Sequence, residues 1–442
     1  MIVLKDKQDC CGCGACYQVC PKQCIEMSLD EEGFLYPSVN LSSCVDCHLC
    51  EKVCPVLNPN QPNNQSNETF AAINTNDPIR MESSSGGIFT LLAEYIIEQG
   101  GVVFGARFNE DWQVVHSCTE TKEGLSAFRG SKYMQSETKN TYQQAQSFLE
   151  SGRMVLYTGT SCQIAGLKNF LRKDYDNLLS VDVICHGAPS PKVWQIYLNQ
   201  VVDNAKSAIK DIEFRNKDNG WKRFNFKLIY NKDNKDITLS SFHGKNNFMR
   251  AFLSDMILRP SCYNCQAKNG KSNSDITLAD FWGIQNVLPS LDDNKGTSLL
   301  IANTDKGKHL LQNLNNLSLQ EVSFAEAIKY NPAYYRSATA HPHRKDFFLR
   351  LSSTQDIITL IEQELKPTPL QRLRLIPSRS KHLIIRIIKR IVGGGRDIYT
   401  KDLDTSTIPL LNADLYTPSC INFRSKHSGW SSYCITLTLK LN

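Results

Sequence analysis

Two stretches near the start of the chain share one cysteine spacing. Cys10–Pro21 reads CCGCGACYQVCP, and Cys44–Pro55 reads CVDCHLCEKVCP. Each contains the run C-x2-C-x2-C-x3-C-P, in which three evenly spaced cysteines precede a fourth cysteine and a proline. Bacterial proteins with two 4Fe-4S clusters use this run, and the fourth cysteine of each copy binds the other cluster.

The repeated run therefore predicts a two-cluster ferredoxin module over residues 1–60. Cluster one is expected to take Cys10, Cys13, Cys16 and Cys54, and cluster two Cys44, Cys47, Cys50 and Cys20. Zinc is the alternative occupant, but it needs only four ligands per site and no x3-C-P tail. Cys11 and Cys24 fall outside both sets and are expected to pack beside a cluster. Residues 25–40 are predicted to form a short hairpin.

The composition is that of a soluble globular protein. The chain has 442 residues, 41% of them hydrophobic and 21% charged, which allows two to four domains. Ten of its seventeen cysteines lie between Cys10 and Cys54, so they indicate a reducing compartment rather than disulfides. Because no leader and no membrane-spanning apolar run is evident, we expect a cytoplasmic protein.

The net charge of +6 does not predict a nucleic-acid partner, because residues 372–396 alone carry eight Lys and Arg and no acidic residue. We predict a helical basic region over 331–395. Within it, residues 383–391 form a basic amphipathic helix, which could contact a membrane surface or an anionic partner, or dock on the main domain. Residues 396–442 are predicted to form an irregular tail.

After an Asn/Pro/Gln-rich linker ending near Asn67, the pattern becomes α/β. The sequence SSSGG over 83–87 precedes a helical pattern, so Ser84, Ser85, Gly86 and Gly87 could cradle a phosphate at a helix start. A plain helix cap with tightly packed glycines is the alternative. The sequence RGSKYMQS over 129–136 supplies a cation, hydroxyls and an amide, which could hold an anionic aromatic cofactor or form a solvated loop.

Two strand–loop–helix units follow, and each places a cysteine just beyond the carboxyl end of a strand. Cys162 follows the strand that ends near Thr158, and Cys185 follows the strand over 178–184. Ligands bind at this edge of open α/β sheets, and the start of a helix at Cys162 is expected to lower the thiol pKa. With Cys262 and Cys265 of a later C-x2-C pair, they number four, as one cubane requires. The pattern predicts a third cluster, with zinc or scattered core thiols as alternatives.

These motifs, in this order, resemble one known family. They are the paired ferredoxin runs, the serine–glycine turn over 84–87, GSKY over 130–133, GTSCQ over 159–163, CHG over 185–187, PSCYNC over 260–265 and DITLADFWG over 275–283. Residues 1–330 resemble the beta-subunit family of coenzyme F420 hydrogenases and dehydrogenases, in its bacterial form with an N-terminal ferredoxin module.

The resemblance implies an α+β or α/β chain, with the ferredoxin module followed by a flavin-binding domain in two parts (68–150 and 151–330). The residue pattern beyond it adds the helical C-terminal region. The resemblance also implies FAD and a central cluster. The expected cofactor-binding residues are Ser84, Ser85, Gly86, Gly87, Lys132, Tyr133, Gln135, Ser136, Thr158, Gly159 and Thr160. Lys132 is expected to place a charge near the flavin ring, and His186 to move protons or simply to hydrogen-bond.

We therefore expect an iron–sulfur flavoprotein oxidoreductase that passes electrons between a redox partner protein, 4Fe-4S clusters and FAD. A small molecule, deazaflavin-like or other, would exchange the hydride. The alternatives are a non-catalytic electron carrier or docking subunit, and a reductive enzyme of cell-surface polysaccharide biosynthesis.

Overall fold

The computed structural model describes residues 1–62, 68–203, 205–354 and 356–366, together with two short strands near the end of the chain. Met1–Lys366 forms one compact unit, and Pro367–Asn442 is a second. The basic helix predicted over 383–391 lies outside the described residues.

The first sixty residues form a small module in which two short helices alternate with a hairpin. Its elements are α1 (Ala15–Gln18), β1 (Ile25–Leu29), β2 (Leu35–Val39) and α2 (Leu49–Lys52). The strands β1 and β2 pair antiparallel, as the sequence predicts. Each helix carries the third cysteine of its run, and each follows a residue with positive φ, Gly14 at 78° and His48 at 60°.

Eleven strands follow before residue 330. They are β3 (Glu68–Asn74), β4 (Val102–Phe108), β5 (Val114–Thr119), β6 (Val155–Thr160), β7 (Leu178–Val183), β8 (Ile209–Asn216), β9 (Asn225–Lys232), β10 (Lys235–Phe242), β11 (Ile276–Asp280), β12 (Ser298–Ala302) and β13 (Leu317–Glu321). Eight of them form one sheet in the order β13-β3-β12-β11-β7-β6-β4-β5. Four adjacent strands of this sheet, β11, β7, β6 and β4, run parallel. The parts predicted over 68–150 and 151–330 therefore share one sheet.

The helices of the large unit are α3 (Asp77–Glu82), α4 (Ile88–Glu98), α5 (Thr141–Glu150), α6 (Ser161–Leu171), α7 (Pro191–Val201), α8 (Asn247–Leu253), α9 (Ile284–Val287), α10 (Asp305–Leu311), α11 (Phe324–Ile328), α12 (Arg344–Leu351) and α13 (Ile357–Glu364). Apolar residues of α4 and α10 cover one face of the sheet. Those of α5 and α6 cover the other. Both faces of the parallel strands are thus buried, as parallel sheets require.

A second sheet, in the order β10-β9-β8, was not predicted from the sequence. It packs its apolar face against α7, α8 and α13 around Trp194 and Phe248, neither of which is accessible to solvent. The last residues of β8 and the loop after it reach the main sheet near β11, so this small sheet forms a wall beside the carboxyl ends of the parallel strands.

The second unit contains one described antiparallel pair, β14 (Ile421–Phe423) and β15 (Ser431–Tyr433). It lies within the segment 396–442, which is predicted to be irregular.

Candidate functional site

The eight cysteines of the paired runs surround two small cavities in the N-terminal module. The lining of the first cavity includes Cys10, Cys13, Cys16 and Cys54. The lining of the second includes Cys20, Cys44, Cys47 and Cys50. These are the two sets that the spacing predicts, with the fourth cysteine of each run at the other cavity. We call them ferredoxin cavity one and ferredoxin cavity two.

The two extra thiols of the module lie beside these cavities. The Cys24 sulfur is 3.4 Å from that of Cys20 and lines ferredoxin cavity two. Cys11 lines ferredoxin cavity one and also a much larger cavity in the α/β domain. Its thiol lies close enough to those of Cys13 and Cys162 for both to act on its pKa, which is raised well above the ordinary value of a thiol. Cys11 therefore joins the surroundings of two predicted clusters.

A buried arginine attaches the module to the α/β domain. Arg259 is fully buried and donates from Nε to the carbonyl of Cys10 at 2.7 Å. Its other nitrogens donate to the carbonyl of Leu35 at 2.9 Å and to Oε1 of Gln135 at 2.8 Å. Gln135 in turn donates to the carbonyl of Cys11 at 3.0 Å. Both polar side-chain atoms of Gln135, which was predicted to bind a cofactor, thus form hydrogen bonds that hold the module against the α/β domain.

Two glycines allow this close approach. A Cβ on Gly12 would lie 2.4 Å from Nε2 of Gln135, and one on Gly166 in α6 would lie 2.8 Å from Cβ of Cys13. Gly12 also has φ of +71°, which other residues rarely adopt. Side chains at these positions would separate ferredoxin cavity one from the α/β domain.

The four central cysteines meet at the edge of the sheet. Cys162 lies in the first turn of α6, two residues after β6, and Cys185 lies two residues after the neighbouring parallel strand β7. Cys262 and Cys265 come from the loop after α8, and all four line the large cavity. Backbone N–H of Ala188 donates to the Cys262 sulfur at 3.3 Å. The topology therefore brings together the thiols that the sequence separates by about a hundred residues.

Each central thiol has a raised pKa. Burial raises the pKa of Cys185 to about 12, with further increases from Cys162 and Cys265. Burial and the neighbouring thiols likewise raise the pKa of Cys262 and of Cys265. For Cys162 the hydrogen bond to Cys11 raises the pKa most, followed by burial. The expectation that the helix start lowers the Cys162 pKa is therefore wrong, because Cys11 and burial raise it well above the ordinary value.

The large cavity has a volume of about 820 Å³ and lies at the carboxyl ends of the parallel strands. Most of the predicted cofactor residues line it: Ser84, Ser85, Gly87, Lys132, Tyr133, Gln135, Ser136, Thr158, Gly159 and Thr160. Ser84 Oγ accepts from the backbone N–H of Ser131 at 2.7 Å, which ties the two predicted loops together.

Gly86, at the same turn, is not part of the lining. Its N–H donates to Ser298 Oγ at 2.9 Å. A Cβ there would lie 2.4 Å from the carbonyl of Ala72. Gly86 thus fits the tight-packing alternative, whereas Gly87 begins α4 with φ of 83° and no side-chain cap.

The two residues predicted to be catalytic lie at the cavity. Lys132 is half-buried and donates from Nζ to the carbonyls of Arg129 at 2.9 Å and Gly130 at 3.1 Å. Burial lowers the pKa of Lys132 to about 7. His186 is 41% exposed and its Nε2 lies 2.6 Å from Oδ1 of Asp255.

Sequence reasoning missed His116, which is buried under the predicted loop. Its Nε2 lies 3.0 Å from the carbonyl of Thr158, so it carries the hydrogen, and Nδ1 accepts from Ser136 Oγ at 3.0 Å. Gln163 donates to the same Ser136 oxygen at 2.9 Å. Burial lowers the pKa of His116 to about 4, which keeps it neutral. Ser136 thus orients the loop over 129–136. Its partner His116 belongs to none of the motifs found in the sequence.

Arg215, at the end of β8, was missed as well. Its Nη1 donates to Asp280 Oδ2 at 2.5 Å and to the Tyr133 hydroxyl at 3.1 Å. Asp280 belongs to the DITLADFWG motif over 275–283, and its other oxygen accepts from the Trp221 indole at 3.2 Å. The motif therefore anchors a buried cation at the wall of the large cavity.

A module with two cavities, each lined by cysteines of the paired C-x2-C-x2-C-x3-C-P runs, is typical of iron–sulfur electron-transfer proteins. Residues 9–58 match the 4Fe-4S dicluster domain. Residues 69–141 and 152–326 match the N-terminal and C-terminal models of the coenzyme F420 hydrogenase/dehydrogenase beta subunit. Since these last two matches together span more than half of the chain, the protein belongs to that beta-subunit family, with a 4Fe-4S domain at its N-terminal end.

Comparisons with individual proteins found two further similarities. An uncharacterized ferredoxin of Methanocaldococcus jannaschii is 38% identical over 53 residues, which are 12% of this chain and 68% of the ferredoxin. A chain of the F420-reducing NiFe hydrogenase complex from Methanosarcina barkeri is 17% identical, with a TM-score of 0.39 over 65% of this chain and 92% of that one. Within the described residues, no helix is both long enough and apolar enough to traverse a bilayer.

Proposed function

We propose that this protein is an iron–sulfur flavoprotein of the reducing cytoplasm that connects a redox partner protein to a hydride-exchanging small molecule. The observation that carries the proposal is the spatial order of the sites, from ferredoxin cavity two through ferredoxin cavity one to the central thiols. Ferredoxin cavity two includes the exposed Cys47, whereas three of the four predicted ligands at ferredoxin cavity one are buried. Cys11 lines both cavity one and the cavity of the central thiols. The central thiols share the large cavity with the proposed flavin residues.

The donor set of both ferredoxin cavities suits 4Fe-4S clusters. Cys10, Cys13, Cys16 and Cys54 would hold one cluster, and Cys20, Cys44, Cys47 and Cys50 the other. Zinc would need only four ligands per site and would not require the C-P tail of each run, so the repeated C-x2-C-x2-C-x3-C-P run favours clusters.

The same reasoning extends to the central thiols. Cys162, Cys185, Cys262 and Cys265 supply four sulfurs at one sheet edge, and they influence one another's protonation. Bound iron would lower the pKa of these thiols and so remove the cost of burying them as thiolates. We assign a third 4Fe-4S cluster to this set.

The large cavity suits FAD, because it combines hydroxyl groups, a helix start and aromatic rings. Ser84, Ser85 and Gly87 at the start of α4 would face phosphate, while Lys132, Tyr133 and residues 158–160 would contact the rest of the cofactor. When bound, a flavin supplies both hydride exchange and one-electron chemistry. Gly86 and Gln135 would support this site through packing and docking.

Two side chains of the cavity can handle protons. Lys132 has a pKa of about 7, so at neutral pH its Nζ can hold or release a proton beside the cofactor. His186 is oriented by Asp255 and is partly exposed, which would allow exchange with solvent. The half-buried Lys132 is also the group we assign to place positive charge near the flavin ring.

Analysis of metal and flavin in anaerobically purified protein tests the proposal. We expect about twelve irons and one FAD per chain, at four irons per cubane. About eight irons with no flavin would instead identify the chain as a ferredoxin-type carrier. Zinc in place of iron would exclude the cluster assignment.

A further inference from the structure

Arg215 differs from the other buried arginines in its hydrogen bonds. In Arg80, Nε donates to the Gly296 carbonyl and the two terminal nitrogens to Asp293. All three nitrogens of Arg259 have partners as well. Arg215 uses only Nη1, while its buried Nε and Nη2 find no acceptor among the described residues.

This incomplete pairing is unusual because a buried guanidinium is normally satisfied on every side. The Arg215 side chain is only 4% exposed. Asp280 neutralises its charge from one side, through Nη1 alone. The Nε and Nη2 donors of Arg215 thus remain without an acceptor in the described parts of the chain, in a fixed planar arrangement. A planar fork of this kind matches the oxygens of a carboxylate or phosphate.

Aromatic rings flank the guanidinium. It lies 4.2 Å from the ring centroid of Phe224 and 5.4 Å from that of Trp282. Trp282 stacks on Trp221 at 4.9 Å with an interplanar angle of 9°, and Phe224 stacks on His243 at 4.1 Å. Such a wall suits a flat ring next to the anion.

Arg215 and the aromatic residues around it lie at the wall of the cavity that we assign to the flavin. Arg215, Phe224, His243 and Trp282 all line it. Lys217, two residues further along the chain, donates to the carbonyl of Ser85 at 2.7 Å. Arg215 therefore lies near the serine–glycine turn but on a different wall, built by β8 and the loop after it.

We propose that Arg215, together with Phe224 and Trp282, forms an anion subsite that binds a phosphate or carboxylate carried by a planar molecule. This proposal rests on the proposed function, because the subsite lies in the cavity that we assign to the flavin. The anion has two possible sources, namely the phosphates of FAD itself and the second molecule that exchanges a hydride with it.

The test uses inorganic phosphate as the probe. Calorimetric titration at fixed ionic strength would be run on anaerobically purified native protein and on protein from which flavin has been removed. The test variant is Arg215→Gln with Asp280→Asn, which keeps the buried pair neutral and so avoids an unpaired charge. The matched control is Arg344→Gln with Glu32→Gln, a partly buried pair outside the cavity. Iron content and circular dichroism verify folding in each case.

We expect phosphate to bind native protein, the Arg215/Asp280 variant to bind it at least about tenfold more weakly, and the control to bind it normally. If the variant retains FAD and native protein binds phosphate with FAD in place, the anion belongs to the second molecule. If the variant loses FAD and phosphate binds only flavin-free native protein, the anion belongs to FAD.

Equal phosphate affinity in native and variant protein would overturn the subsite, as would failure of native protein to bind phosphate in either form. Should the Arg215/Asp280 variant misfold, Arg215→Lys replaces it. This change retains the charge but loses the fork, and unchanged affinity there would also overturn the proposal. A native protein that contains no flavin would contradict the proposed function alone, since the titration still measures the subsite.

Discussion

Ferredoxin cavities one and two come from the same cysteine run but lie in different surroundings. Cavity one is covered by the α/β domain, whose Arg259, Gln135 and Thr138 donate to the carbonyls of its loop. Around cavity two, Leu41 and Val45 are 65% and 58% exposed, and Cys47 is exposed too. The two cysteine runs are identical in pattern, so they do not determine which cavity faces a redox partner and which faces the α/β domain. Contacts made by residues outside the runs determine this orientation.

The largest expected effect comes from removing either cluster. Cys13→Ala and Cys47→Ala should each lose about four irons. With reduced ferredoxin as the electron donor, Cys13→Ala should abolish reduction of the proposed flavin, because cavity one shares the lining residue Cys11 with the cavity of the central thiols. Cys47→Ala should slow the reaction without abolishing it, since electrons can still enter at cavity one. Flavin absorbance after anaerobic mixing measures both.

The reverse order, with Cys47→Ala abolishing reduction and Cys13→Ala only slowing it, would refute the difference between the cavities. Native protein and a Cys118→Ala variant serve as controls, because Cys118 lies on β5 and lines none of the three cavities described above.

The next effect is on stability. Arg259→Gln should reduce the free energy of unfolding by about 2–4 kcal/mol, because buried carbonyls and Gln135 lose charged donors. Lys122→Gln removes an exposed ion pair with Glu98, where both side chains are about half exposed, and because solvent screens such pairs it should lower the free energy of unfolding far less. Urea denaturation of both variants gives the comparison. Equal losses would mean that Arg259 does not hold the module in place.

The smallest effect concerns the two extra thiols. Cys11→Ala and Cys24→Ala should both retain iron and flavin, because neither thiol belongs to a predicted ligand set. Only Cys11→Ala should slow flavin reduction, by several-fold, since Cys11 lies between Cys13 and Cys162. Rapid mixing with reduced ferredoxin distinguishes the variants. Loss of about four irons from Cys11→Ala would show that Cys11 is a cluster ligand. Equal rates of flavin reduction in both variants would show that Cys11 takes no part in electron transfer between cavity one and the central thiols.

Much of the fold was predictable from local patterns. The hairpin over 25–40 and the helical pattern after the serine–glycine turn, which is α4, were both predicted. The grouping of Cys162 with Cys185 also followed, because two consecutive strands that are parallel neighbours end at one edge of the sheet. The three-stranded sheet was not predicted, because its strands are long-range partners of α7, α8 and α13 rather than of a local motif.

The site was predictable only where a motif carried it. The serine–glycine turn and the loop over 129–136 line the large cavity as expected, but the separate roles of Gly86 and Gln135 depend on distant partners. Arg215, Arg259 and His116 have no local signature, because each gains its role from residues twenty or more positions away. Pairing across such distances is decided by tertiary structure.

The central claim is that the ferredoxin module serves the large cavity through the central thiols. Cys262→Ala tests it most directly, by iron analysis followed by anaerobic mixing with reduced ferredoxin. We predict loss of about four irons, reduction of the two remaining clusters in the electron paramagnetic resonance spectrum, and a bound flavin that stays oxidised. Unchanged iron content, or flavin reduction at the native rate, would contradict the claim.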